Sequence, residues 1–224
     1  MSISDDTRVE PGGYASPPCF MHELTPDFQP QHVRPQPARD AWTDVRRWRK
    51  AERARLIAER LAVDAEERKA RSERIAMALD RAVGRVSGRI VSAYWPFRGE
   101  PDLRNWMIKV IERGGRIALP VVIKQGWPLE FRIWSPGDLL ERGVWNILVP
   151  AHGPSVQPGL VIAPLVGFDD ANYRLGYGGG FFDRTLAAMP RKPFVIGVGY
   201  AGAALGTIYP QAHDIPMDVI VTDG

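Results

Sequence analysis

Apolar residues change their spacing several times along this chain, and each change marks an element. Residues 42–61 contain neither Gly nor Pro and are rich in Arg, Ala and Glu, which predicts a first, basic helix. Asp64 is followed three residues later by Glu67, the spacing of a capping box, so a second helix is predicted to start there. Within it Ile75, Leu79 and Val83 recur every four residues and Gly84 follows, giving one apolar face and a stop. Short, mostly apolar runs then appear at 89–94, 117–122, 160–165, 194–198 and 219–222, as buried strands do. Residues 130–134 (EFRIW) alternate, which suits a half-buried strand. Residues 102–113, closed by Gly114 and Gly115, and residues 181–189 read as helices. Strands that alternate with helices predict an α/β protein. The expected fold is a layered α/β/α sandwich with a mainly parallel central sheet and a basic N-terminal helix pair.

The first 39 residues follow another rule. Pro11, Pro17, Pro18, Pro26, Pro30, Pro35 and Pro37 forbid a regular helix. Yet Tyr14, Cys19, Phe20, Met21, Leu24 and Phe28 lie among them, an apolar cluster that a free tail does not need. The chain is therefore divided into a Pro-rich extension, 1–39, and a single α/β domain, 40–224. Residues 14–28 are expected to dock on a surface of their own domain or of a partner subunit, with a disordered tail as the alternative.

Composition narrows the class. A net charge of +3, carried by arginines, favours small anionic ligands over nucleic acid. Cys19 is the single cysteine, so no internal disulfide forms, which fits a reducing cytoplasm. No apolar run reaches membrane-spanning length and the N-terminus lacks a signal-like apolar core. A cytoplasmic protein with neither membrane nor nucleic-acid partner is expected, as monomer or homodimer.

The most informative segment is RLGYGGGFFDR at 174–184. Gly176, Gly178, Gly179 and Gly180 fall between a strand-like and a helix-like run, an order that turns backbone N–H groups toward a phosphate. Arg174 adds a permanent cation and Asp183 a hard oxygen ligand. The loop lacks the Gly-Lys-Ser/Thr ending of a P-loop and fails the dinucleotide fingerprint at its last glycine. On composition alone a plain glycine turn remains open.

Several segments then converge. The run 167–184, with YWPFRGEPD (94–102), ALP (118–120), FRIW (131–134), WNI (145–147) and HDIPMD (213–218), resembles the 5-formyltetrahydrofolate cyclo-ligase family over residues 42–223. The resemblance implies conversion of 5-formyltetrahydrofolate and ATP to 5,10-methenyltetrahydrofolate, ADP and phosphate, with Mg²⁺. It implies that Arg49 and Arg53, four apart on one helix face, meet nucleotide phosphate together with Arg174, Leu175, Gly176, Tyr177, Gly178, Gly179, Gly180, Phe181, Phe182 and Asp183. Arg174 is the expected catalytic cation at the γ-phosphate. Asp183 and Asp214 would hold the metal. Glu100, Trp145 and Phe182 would face the folate. Simpler roles stand beside these: a solvated basic face for Arg49 and Arg53, pairing with Arg184 for Asp183, a turn for Glu100, core for Trp145. The chain departs from the family where Phe181 and Phe182 replace a tyrosine before the aspartate, and where Asn146–Pro150 lacks the Glu-Pro of many bacterial members. Both departures touch the folate side. A paralogue acting on another formyl or pterin-like compound, a non-catalytic nucleotide or folate binder, and an RNA-binding protein are the competing classes.

Overall fold

The computed structural model describes residues 39–224, with side chains from Trp42 onward. The expected docking of residues 14–28 lies outside the described residues. Helix α1 spans Arg39–Ala62 and α2 Ala65–Val83. The capping box sets the break between them: Asp64 accepts the Glu67 backbone N–H at 2.8 Å. Gly84 closes α2 at φ 64°, a left-handed φ that glycine reaches without a Cβ penalty.

The central sheet has six strands: β1 (Ile90–Ser92), β2 (Arg116–Val121), β3 (Glu130–Trp134), β6 (Leu160–Pro164), β9 (Phe194–Val198) and β11 (Val219–Val221). Their order is β11-β9-β6-β1-β2-β3, and only the β2–β3 pair is antiparallel. Helices cover both faces, which is why these strands are apolar on both sides. Leu160 and Ile162 of β6 join Ile75 and Leu79 of α2 and Trp106, Met107 and Val110 of α3 (Arg104–Glu112). The alternate residues Val161 and Ala163 join Leu186 of α4 (Phe181–Ala188) on the opposite face. A two-residue period thus feeds two cores.

The two N-terminal helices do not form one layer. α2 belongs to the first core, whereas Leu56 of α1 packs with Val166, Leu175, Ala203 and Ile208. That third cluster lies on a small sheet of β10 (Ala204–Leu205), β7 (Gly167–Asp169) and β8 (Arg174–Leu175). This sheet, and a hairpin of β4 (Leu140–Arg142) with β5 (Leu148–Pro150), are absent from the sequence expectation. Their strands are two or three residues long, too short to display a period. No helix among the described residues is long and apolar enough to cross a membrane.

Adjacent strands β1 and β6 leave the centre of the sheet in opposite directions, β1 toward β2 and β6 toward β9. Ligands of open parallel sheets settle at such a switch point, beyond the carboxyl ends of the strands. Asp169 holds this end together. Buried, its carboxylate accepts N–H groups from Ala171, Tyr173 and Ile208, the last at 3.0 Å. Asp169→Ala strands the buried Ile208 N–H and unpairs two partly buried ones, and we expect a loss on the order of 3 kcal/mol, measured as a lowered urea midpoint. An unchanged midpoint would remove Asp169 from the framework.

Candidate active site

One stripe of α1 carries the cations. Arg49, Arg53, Leu56 and Arg60 are spaced by four, three and four residues, so they share the helix face that meets the glycine loop. Arg53 donates from Nε to the Gly176 carbonyl at 2.6 Å. Arg49 reaches Asp214 at 2.6 Å and the Ile208 carbonyl at 2.8 Å. A solvated basic face is therefore excluded for both.

The strands end on a single cleft of about 1250 Å³ counting its open mouth. It gathers Arg49, Arg53, Glu100, Trp145, Arg174, Leu175, Asp183 and Asp214, with the loop Gly176–Gly180 and Phe181 and Phe182. All the candidate site residues named from the sequence thus line one cleft.

Arg174 is not a free cation at the loop's mouth. Only 8% exposed, it pairs with Asp183 at 2.8 Å and lies beside the Phe182 ring. Burial pulls its pKa below the ordinary arginine value, and Asp183 opposes that pull. Asp183 therefore answers Arg174, not Arg184. Its second oxygen accepts the Ile215 N–H at 3.1 Å, which sets it beside Asp214. Asp214 accepts from Arg49 and from the Gln211 N–H at 2.7 Å. Burial pushes the Asp214 carboxyl up, but these partners win and hold it below the usual carboxylate range.

Arg53 differs from its neighbours: no carboxylate among the described residues pairs with it. Burial and the like charge of Arg49 lower its pKa. A Cβ on Gly178, where φ is +93°, would stand 3.4 Å from the Arg53 guanidinium carbon. Gly180, at φ +61°, begins α4 without a side-chain cap. The first-turn N–H groups of an eight-residue helix and an unanswered guanidinium thus border the same loop. Arg184 fixes the loop from beneath by donating to the Gly179 carbonyl.

The opposite wall is aromatic. Trp145 stacks on Phe97 at 6.4 Å and 10° and meets Tyr177 and Phe181 at 6.1 and 6.0 Å. It is 48% exposed, so it is not core. The turn between β4 and β5 places both Trp145 and Asn146 at φ 59°. A bulky residue there stores roughly 1–3 kcal/mol of backbone strain, and such strain concentrates where a side chain is held for a purpose. Glycine would satisfy this turn better.

Glu100 follows β1 and is 6% exposed. Burial pushes its carboxyl up to about 7, against Arg60, the Phe97 N–H at 2.9 Å and the Tyr177 hydroxyl at 3.0 Å. An acid half-ionised near neutrality can accept or release a proton there. Arg60 and Phe97 were missed in the sequence. Arg60 could have been found as the next member of the Arg49–Arg53 stripe. Phe97 lay in the family-like segment 94–102 but was given no role there.

Among the described residues no three His, Cys, Asp or Glu side chains group closely enough to hold a metal by themselves. Asp183 and Asp214, two carboxylates lining the same cleft, suit Mg²⁺, which keeps waters and shares its shell with substrate phosphates, better than they suit a cation that needs a full protein cage.

Residues 45–223 match the description of the 5-formyltetrahydrofolate cyclo-ligase family. The chain is 31% identical over 147 residues to a 5-formyltetrahydrofolate cyclo-ligase of Mycolicibacterium smegmatis, covering 62% of this chain and 75% of the relative. It is 29% identical over 144 residues to that of Escherichia coli K12, covering 61% and 79%. The solved 5,10-methenyltetrahydrofolate synthetase of Aquifex aeolicus superposes with a TM-score of 0.67 at 29% identity, over 78% of this chain and 89% of that one. A Mycoplasma pneumoniae structure bearing the same enzyme name, 22% identical with a TM-score of 0.66, shares the fold over 79% of this chain and 99% of its own. With the central sheet, the glycine loop and the matched segments in one order, the chain belongs to the 5-formyltetrahydrofolate cyclo-ligase family of ligases.

Proposed function

We propose that the protein closes 5-formyltetrahydrofolate to 5,10-methenyltetrahydrofolate at the expense of ATP. The observation that carries this reading is the division of the cleft. One side is cationic and glycine-lined, with Arg53, which has no carboxylate partner among the described residues, facing Gly178. The other is aromatic, with Trp145, Phe97 and Phe181 beside a single buried acid, Glu100. Phosphates belong on the first side and a flat pterin on the second.

In this reading the formyl oxygen attacks the γ-phosphorus and the bond to ADP breaks. N10 then bonds to the formyl carbon and loses its proton, and the carbon–oxygen bond to phosphate breaks. The protein supplies no nucleophile; it positions groups and answers charge. Arg53 and the loop N–H groups hold phosphate oxygens. Arg174 turns part of its charge from Asp183 to the transferring group. Asp183 and Asp214 are the residues that would hold Mg²⁺, whose chemistry is to neutralise phosphate charge as it builds. Trp145, Phe97 and Phe181 clamp the pterin. Phe182, lacking the family's hydroxyl, contributes a ring beside Arg174 instead. ATP and folate are small-molecule partners; one chain contains every group named.

Turnover separates this reading from a non-catalytic binder. Purified protein is expected to produce methenyltetrahydrofolate absorbance only when 5-formyltetrahydrofolate, ATP and Mg²⁺ are all present. Arg174→Ala is expected to lower kcat by about a hundredfold or more, the scale of one lost transition-state charge contact. A silent wild-type protein that still binds both ligands would favour the binder. Activity on another formyl compound alone would favour the paralogue.

Trp145→Gly tests the folate wall by opposing stability to binding. Glycine relieves the positive-φ strain, so the melting temperature is expected to stay within about 3 °C of the parent's. The KM for folate is expected to rise by about tenfold or more while that for ATP holds. A large melting loss with an unchanged folate KM would make Trp145 a packing residue.

A further inference from the structure

Tyr177 sits in the middle of the glycine loop, between Gly176 and Gly178, but its hydroxyl belongs to another part of the cleft. It donates to Glu100 Oε1 at 3.0 Å. It accepts from Arg60 Nη2 at 2.6 Å. Arg60 is only 6% exposed and is itself anchored by donating to the Arg98 carbonyl at 2.9 Å. The second Glu100 oxygen is taken by the Phe97 N–H.

The polarity of this chain follows from the donor inventory. A guanidinium only donates, so Arg60 occupies a lone pair of the phenol oxygen and leaves its single proton to point elsewhere. Two acceptors compete for that proton: Glu100 at 3.0 Å and the Phe97 carbonyl at 3.4 Å. The nearer one wins while Glu100 is ionised. When Glu100 is protonated its need for a donor falls, and the Phe97 carbonyl stands ready as the alternative. The phenol is therefore built to distinguish the two charge states of one carboxyl group.

The other groups bearing on Glu100 are few. Arg60 comes from α1, Tyr177 from the glycine loop and Tyr94 from the end of β1. Burial raises the Tyr94 and Tyr177 phenols, and the Glu100 charge adds to both shifts, so both stay neutral at ordinary pH. Tyr94 donates to the Pro101 carbonyl, not to Glu100. Among the described residues Tyr177 is thus the side chain that hydrogen-bonds this carboxylate.

We propose that Tyr177 is a positioning residue through which the glycine loop sets the place and charge of Glu100. The nucleotide side of the cleft then prepares the acid on the folate side before chemistry begins. This rests on the functional reading above for its meaning, but not for its test. The sign is fixed: a donor to the ionised form favours that form. Removing the phenol oxygen makes Glu100 harder to ionise, and a stronger phenol donor makes it easier.

The test titrates Glu100 in the full-length protein by carbon-13 NMR with carboxyl-labelled glutamate, using Glu100→Gln to assign the signal. The parent midpoint is expected near 7. In Tyr177→Phe it is expected to rise by at least about half a pH unit. With 3-fluorotyrosine at 177, a stronger donor that retains the hydroxyl, it is expected to fall. The acidic limb of the kcat/KM profile for folate should move with the midpoint in each variant. A midpoint that neither substitution moves overturns the proposal, whatever the activity. A midpoint that moves in a protein without cyclo-ligase turnover upholds Tyr177's hold on Glu100 and overturns the functional reading instead.

Discussion

The charged side of the cleft is organised around the need to answer Arg174. A guanidinium this deeply buried is costly unless paired, and removing its partner from such a site costs about 3–5 kcal/mol. Asp183 supplies the pair at 2.8 Å and, through Ile215, fastens the first turn of α4 to the segment that carries Asp214. Asp214 in turn holds Arg49 on α1. One line of charge therefore ties the small sheet, α4, the C-terminal segment and the first helix together. The glycine loop hangs between these fixed points. Its own conformation is set by Arg53 on the Gly176 carbonyl and Arg184 on the Gly179 carbonyl.

The two walls of the cleft are stabilised differently. On the charged wall Arg49 and Arg174 are each balanced by an aspartate, while Arg53 is held by a backbone carbonyl alone. The aromatic wall is held partly against the preference of its backbone, since the turn at Trp145 and Asn146 has positive φ at two residues that are not glycine. The first wall presents groups that can change partners. The second presents a surface already shaped for a flat ring. Between them runs the Arg60–Tyr177–Glu100 chain, the direct side-chain link from the glycine loop to the buried acid.

Much of this was legible in the residues. The four-residue repeat of Ile75, Leu79 and Val83 marked a buried face, and the strands of the large sheet lie in apolar runs of four to six residues that show even where the strand itself, as in β1 and β11, is three residues long. The glycine loop and its acid were visible because their chemistry is local in sequence. What stayed hidden was pairing over distance. Nothing near Arg174 indicates that Asp183 will neutralise it, because that depends on how α4 turns back on β8. Arg49 and Arg53 look equivalent on the helix, yet Asp214 claims one and leaves the other without a carboxylate among the described residues. The short strands β7, β8 and β10 escaped because they are made by neighbours rather than by their own pattern. Trp145 read equally well as core, since exposure of an aromatic is decided by the turn that carries it.

In the reading proposed above, Asp183 and Asp214 would exchange their arginines for a metal, and Arg174 and Arg49 would turn to phosphate. Calorimetric titration of ATP into the wild-type protein, with Mg²⁺ and again with a chelator in its place, tests it most directly. If the pairs open in concert, ATP binds at least about tenfold more tightly with Mg²⁺, a difference of roughly 1.4 kcal/mol. Equal affinity in the two titrations would mean that Asp183 and Asp214 remain structural partners of their arginines, and would contradict the account.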